Sequence, residues 1–369
     1  ALTVLATDFN TPYYFNFHRG QIATTLVIGT AGEGKTATVN LLASHLLTRG
    51  VYGVWLDIDN SNENFIYANG GHYVTLQDGE PTGWNPFDHD DSEAWRLTVR
   101  KLVLSCITRP DRSPSTQDEH EITEAVDTVF RLPRGQRRFG NLMEVLPPPQ
   151  DDNAAARLMK WCDSKHGRGA LAWVFDNPVE TMLFDQDQRL FGFDYTSLVN
   201  NPEICGPAVL YLLTRISELT DRGRMFLAIS EYWQALGAPV LHDFLNKSYR
   251  TQRKYDWFII ADTQNPEDAL SSEISKVLIQ MTPTILFLPN RTAKRQDYVD
   301  GYGLTEQAYL RLKSEFPEGS RKVLIKHGTE IVACDLRLPA SFRDAFSILS
   351  PTKDEIRLGR QVRADVGPS

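Results

Sequence analysis

Cysteine is scarce in this chain: Cys106, Cys162, Cys205 and Cys334 are the four in 369 residues. They are scattered, with no C-x-x-C pair and no histidine at metal-ligand spacing. That excludes a disulfide framework and a zinc site, and the four read as ordinary thiols of a reducing compartment. Long apolar runs are also missing. None approaches the roughly 18 to 20 residues of a membrane span, and the N-terminus has no signal-peptide pattern. Low-complexity tracts and internal repeats are absent. So is any excess of positive charge, because 39 Lys and Arg against 47 Asp and Glu leave a formal net charge of −8. This balance argues against a chain-wide nucleic-acid footprint, while a local basic patch or a pore lining stays open. The chain does not begin with methionine, and we expect a piece of something longer. Its length suits one large or two modest domains, each with a real core.

What is present begins with "TTLVIG", a strand-like run at residues 24 to 29. A glycine-rich turn follows, and then a helix carrying Val39, Leu42, Ala43 and Leu46 at helical spacing and stopping near Gly50. "VYGVWLDID" is the unbroken apolar run of a strand buried on both faces. Strand, turn, helix, strand opens a mainly parallel α/β sheet. From about residue 91 to 190 the pattern turns helical, broken at "RLPRGQRR" and at Pro147-Pro148-Pro149, and predicts an all-helical insertion. Strand texture resumes with "RLFGFDYTSL" and continues through "MFLAIS", "WFIIADTQ", "TILFLPN", "KVLIKHG" and "EIVACDL". The expected organisation is therefore a core of residues 1–90 and 191–349, an insertion at 91–190, and a polar helix with a frayed tail at 350–369.

"GTAGEGKT", Gly29 to Thr36, fits the phosphate-loop pattern G-x-x-x-x-G-K-[ST] in its required context between a strand and a helix. Gly29, Thr30, Ala31, Gly32, Glu33 and Gly34 would turn backbone N–H groups around phosphate oxygens at the positive end of the helix. Lys35 would bridge the β- and γ-phosphates of ATP, and the Thr36 hydroxyl would ligate Mg²⁺. Such a site also needs a carboxylate at the end of another core strand. "MFLAISEYWQAL" supplies Glu231 as the candidate for polarising water. Ser230 stands where an aspartate would hold the metal-bound water, and offers it a hydroxyl without charge. The bland reading is an ordinary strand end.

Gln264, at the tip of "WFIIADTQ", is placed to sense the γ-phosphate or to be a solvated loop residue. Arg250, Arg253 and Lys254 in "NKSYRTQRKYD" form either a solvated helix face or the source of an arginine that reaches a neighbouring subunit's γ-phosphate. Asp57 and Asp59, after the second strand, either assist the metal or cap the loop. The capping reading is favoured, with Asp59 the one to test.

Together these pieces resemble one family: the large ATPase of type IV secretion and conjugation systems, on the FtsK/HerA branch of RecA-like motor proteins. The matching stretches run in order along nearly the whole chain. They include "GTAGEGKT", "LDIDNSNEN", "PTGWNPF", "FDYTSL", "ISEYWQAL", "TQNPEDAL", "TPTILFLPN" and "SRKVLIK". The resemblance implies a RecA-like ATPase domain that forms a homo-hexamer, normally preceded by a separate N-terminal domain. It implies a place on the cytoplasmic face of the bacterial inner membrane, held there through other parts or partners. Work with the other inner-membrane and ATPase components of the secretion system is implied too, with DNA as an optional substrate. It maps Glu231 onto the second acid of the hydrolysis motif and Gln264 onto the glutamine motif. Arg250, Arg253 and Arg321 all lie in family-like contexts for the arginine. Ser230 departs from the Asp-Glu of many members, which bears on hydrolysis more than on nucleotide binding. Two alternatives stand beside the secretion motor: a DNA-translocating ATPase of the same branch, and a nucleotide-binding scaffold with weak hydrolysis.

Overall fold

The computed structural model describes residues 1–366 except 21, 110, 183, 185–186, 233–256, 268–269, 271–278, 280–281, 318 and 339. Its frame is an 11-stranded sheet in the order β2-β1-β13-β12-β11-β3-β10-β9-β4-β8-β5. The strands are β1 (Thr3–Thr7), β2 (Pro12–Phe15), β3 (Thr24–Ile28), β4 (Tyr52–Asp57), β5 (His72–Thr75), β8 (Leu190–Asp194), β9 (Met225–Ile229), β10 (Trp257–Thr263), β11 (Thr284–Phe287), β12 (Lys322–His327) and β13 (Glu330–Asp335). The run from β11 to β5 is parallel throughout. Beyond β11 the sheet continues antiparallel through β12, β13, β1 and β2.

The central strands are buried at nearly every position because helices cover both faces of the sheet. Alternate residues go to opposite sides. Leu26, Val54, Leu227 and Ile259 face one core, which also takes in the 91–190 segment. Val27, Trp55, Phe226 and Phe258 face the other, where helices α1 (Lys35–Leu47) and α2 (Glu63–Ala68) pack.

The 91–190 segment contains helices α3 (Glu93–Ile107), α4 (Thr116–Phe130), α5 (Leu142–Val145), α6 (Ala154–Leu158) and α7 (Ala172–Phe175). It is not all helix. A small hairpin pairs β6 (Asp163–Ser164) with β7 (Gly167–Arg168). The termini of the longer helices are set locally. Ser115 and Asp118 cap α4 reciprocally, and the Ser92 hydroxyl accepts from Trp95 N at the start of α3. A buried ion pair, Arg157 to Asp118 at 2.7 Å, ties α6 to α4.

After β8 come α8 (Thr196–Val199) and α9 (Pro202–Ser217), the latter begun by Asn201 as cap and Pro202 in the first turn. Toward the end lie α10 (Glu306–Leu310), α11 (Phe346–Leu349) and α12 (Lys353–Val366). Helix α12 returns to α2: Arg360 and Arg363 both bond the buried Glu63 carboxylate, at 2.6 and 2.5 Å. The Arg363 guanidinium also lies 4.2 Å from the Tyr67 ring centroid. Among the described residues no helix is long and apolar enough to cross a membrane.

Candidate nucleotide site

Ligands of open parallel sheets bind at the C-terminal ends of the strands, and there the sequence-marked residues meet. Strand β3 runs into the loop from Gly29 to Gly34, and α1 begins at Lys35. Gly34 has φ 90°, a left-handed conformation open to glycine at little cost. Gly29 has its own constraint: a Cβ there would lie 2.6 Å from Leu288. The loop is braced from both neighbouring strands. Gly29 N donates to Thr263 O at 3.2 Å, and Leu288 N donates to Ile28 O at 2.8 Å. Thr30, Ala31, Gly32 and Glu33 form the turn between them. Thr36 is half-buried in the first turn of α1.

Lys35 is buried and its ammonium is held by two carboxylates. One is Glu231, whose Oε1 accepts from Nζ. The other is Asp262, with Oδ1 at 3.0 Å from Nζ. Glu231 reaches the lysine because its backbone has φ 47°, a strained value for a non-glycine residue. Strain of this kind gathers at functional sites, where the surroundings hold it. Two bonds fix the arrangement: Glu231 N donates to Asp262 Oδ1 at 3.2 Å, and Gln264 N donates to Glu231 Oε2 at 3.2 Å. Gln264 thus supports the acid through its backbone, while its side chain is exposed. Ser230 is buried beside Glu231, and its carbonyl accepts from Tyr195 Oη at 3.0 Å.

Asp262 is the residue that the sequence reading passed over. It lies in the same "WFIIADTQ" run as Gln264, and only the strand order reveals its place. Strand β10 is inserted between β3 and β9, so the side chain at its end comes between the phosphate loop and Glu231. Burial raises the Asp262 pKa, the Lys35 ammonium lowers it, and Glu231 raises it again.

Of the other acids of this edge, Asp57 and Asp194 are committed elsewhere. Asp57 accepts from Ser61 Oγ (2.7 Å), Asn62 N (2.8 Å), Asn62 Nδ2 (2.7 Å) and Tyr73 Oη (2.5 Å), the loop-holding role favoured from the sequence. Burial pushes its pKa up to about 6. Asp194 accepts from Thr196 N and Asn60 N. Asp59 is exposed. Arg250, Arg253 and Lys254 lie outside the described residues.

Arg321 leans over its own chain's loop. A Cβ on Gly34 would lie 2.7 Å from its Nη1, and its Cζ sits 5.3 Å from the Phe346 ring centroid. Both side chains line a shallow cleft beside the start of α1, with Leu288, Leu338 and Thr38. For a divalent cation the local donors are oxygens: the Thr36 hydroxyl at the helix start and the buried carboxylates of Glu231 and Asp262. That donor set fits Mg²⁺, which keeps several waters and is bound through one or two carboxylates plus phosphates.

Residues 14–141 match the TraG P-loop domain family. The whole chain aligns with the type IV secretion system protein virB4 of Bartonella quintana, at 34% identity over 368 residues. The alignment covers 100% of this chain and 46% of that relative, so the chain spans about half the length of the relatives it matches. Among solved structures it resembles VirB4 of Thermoanaerobacter pseudethanolicus. The TM-score is 0.71 at 16% identity, over 92% of this chain and 97% of that one. The plasmid coupling protein TrwB in complex with ADP and Mg²⁺ matches with TM-score 0.56 at 14% identity, over 86% of each chain. Over its whole length the chain is thus similar to about half of a type IV secretion system protein virB4, and it shares the fold of the solved VirB4 and TrwB chains.

Proposed function

We propose that this chain is an ATP-hydrolysing motor domain that energises type IV secretion, meaning pilus biogenesis and substrate transfer across the bacterial envelope. The observation that carries the reading is the burial of Lys35 between Glu231 and Asp262 at the mouth of the phosphate loop. The loop amides from Gly29 to Gly34 and the Lys35 ammonium would hold the triphosphate, with the Thr36 hydroxyl toward the metal. Mg²⁺, held through the Thr36 hydroxyl, would neutralise charge on the phosphates. Glu231 accepts a proton from, or orients, the attacking water, and its fixed backbone keeps it aimed. Gln264, at the tip of β10, would sense the γ-phosphate or orient that water.

In an assembled ring, expected to be a homo-hexamer, Arg250 or Arg253 would reach the neighbouring subunit's γ-phosphate. The expected setting is the cytoplasmic side of the inner membrane, reached through secretion-system partners. The measurement that decides is steady-state ATP hydrolysis against protein concentration, with Lys35→Ala and Glu231→Gln beside the wild type. Activity that climbs with concentration and disappears in both variants supports the motor. Bound nucleotide with a negligible rate that neither variant alters favours the scaffold reading, which Ser230 motivates. Salt-sensitive stimulation by DNA would move the assignment to a DNA-translocating motor.

A further inference from the structure

Ser230 leaves the hydrolysis motif one carboxylate short, and the sheet register shows what stands next to it. Strands β9 and β10 pair in parallel with Ile229 opposite Ala261. One position further on, Ser230 and Asp262 stand side by side at the strand ends. On the far side of β10, Asp262 itself pairs with Val27 of β3, two residues before Gly29. The acid missing from β9 is therefore present one strand over, closer to the phosphate loop.

We propose that Asp262 is the carboxylate that Ser230 does not provide: it orients the water shell of the divalent cation carried by the bound triphosphate. This assignment rests on the nucleotide-hydrolase reading above.

The charge balance of the pocket supports it. Two buried carboxylates, Glu231 and Asp262, share one ammonium, Lys35. A triphosphate draws that ammonium away, because the phosphate-loop lysine moves its bonds to the β- and γ-oxygens. Asp262, buried, then loses its ammonium partner. A hydrated divalent cation arriving with the same ligand would restore the balance. Two other acids at this edge are already engaged: Asp57 has four donors on it, and Asp194 is held by Thr196 and Asn60. The Ser230 hydroxyl contributes no charge to the exchange. A plain alternative gives Asp262 a single duty, restraining Lys35 until nucleotide arrives.

The two duties separate in a binding experiment. The affinity of the chain for a fluorescent ATP analogue is measured with Mg²⁺ and with EDTA, for the wild type, Asp262→Asn, Ser230→Asp and the transposed double variant Ser230→Asp/Asp262→Ala. Circular dichroism checks that each is folded. Asp262→Asn is expected to lose about tenfold of the Mg²⁺-dependent tightening, the scale seen when a residue orienting a metal's ligands is removed. Its affinity in EDTA should not fall, because without metal the carboxylate only restrains Lys35. The transposed variant should regain the lost tightening, and Ser230→Asp alone should add little.

The assignment is overturned if Asp262→Asn keeps the full Mg²⁺ response. It is equally overturned if that variant binds more tightly with and without metal, the mark of a mere restraint. A folded transposed variant that fails to recover also sinks it. Should the wild type bind no nucleotide, or bind it equally well after Lys35→Ala, the hydrolase reading itself falls and takes this assignment with it.

Discussion

Lys35 sits between two acids in a pocket with almost no solvent, so its removal acts on both sides of the ledger. Lys35→Ala deletes the cation for the phosphates and strands Glu231 and Asp262 together. Affinity for ATP is expected to drop by about tenfold to a hundredfold, the range of a charge-assisted hydrogen bond of about 1.5–3 kcal/mol. Equilibrium titration with the fluorescent analogue reads it directly. Glu231→Gln keeps the shape and removes the base. Binding should stay within a few-fold while turnover falls by about 10²–10⁴, and equal losses in both would argue for a structural role only.

Asp57 makes a prediction in pH. Its pKa is about 6 in the fold against 3.8 for the free group. Between those values the folded chain holds a proton that the unfolded chain has released, so stability falls as pH rises through the window. The full difference is about 3 kcal/mol. Denaturant titrations of wild type and Asp57→Asn should therefore show the wild-type advantage shrinking by about that much from pH 4 to 7. A gap that does not change with pH defeats the assignment. Of these residues, the glycines, Lys35 and Glu231 are legible in one dimension because a short motif fixes their spacing. Asp262 is not, since its role depends on which strand lies beside which.

Among the elements, those with continuous apolar runs are readable from their letters. "TTLVI", "YGVWLD" and "MFLAI" are buried at nearly every position, and a strand covered on both faces has no other composition available. The strands that escape notice are short and half-covered. Strands β1, β2 and β5 each have one buried position over four or five residues, a pattern shared with many loops. The β6–β7 hairpin has two residues per strand, too few for any periodicity.

Helix α12 is legible as a polar helix, but its docking onto α2 is not, because Glu63 and Arg360 are far apart in the chain. Glu63→Ala removes the acceptor of both arginines and should free the helix. We expect backbone hydrogen exchange to accelerate across Lys353–Val366 by about tenfold or more, taking about 2 kcal/mol for two partly buried charged bonds. The core strands should be unchanged, and protection in α12 that survives the substitution would rule out the clasp as its anchor. At α4, Ser115→Ala should cost about 1 kcal/mol through loss of the reciprocal cap, read as a shift in the urea midpoint.

For the whole molecule, the resemblance reaches further than any single motif. It spans strand, loop and insertion in order, and the fold matches that of a solved VirB4 over 92% of this chain. On the proposed function, Arg250 or Arg253 acts on a neighbour's nucleotide, and the site would be complete only after assembly. Specific activity should then rise steeply with protein concentration, while nucleotide affinity per chain stays level. A specific activity independent of concentration would place every catalytic group within one chain.

The strand order also has a consequence for how such a chain is made. Strand β3, which carries the phosphate loop, leaves a ribosome well before its two neighbours, β10 and β11, and β1 waits longer still for β13. Contacts so distant along the chain close slowly, and until they do the apolar edges of β3 have no strand beside them. A nascent chain halted before Thr284 should be unable to hold nucleotide although its whole phosphate-loop motif has been translated. It should instead be found with chaperones that cover exposed strand edges.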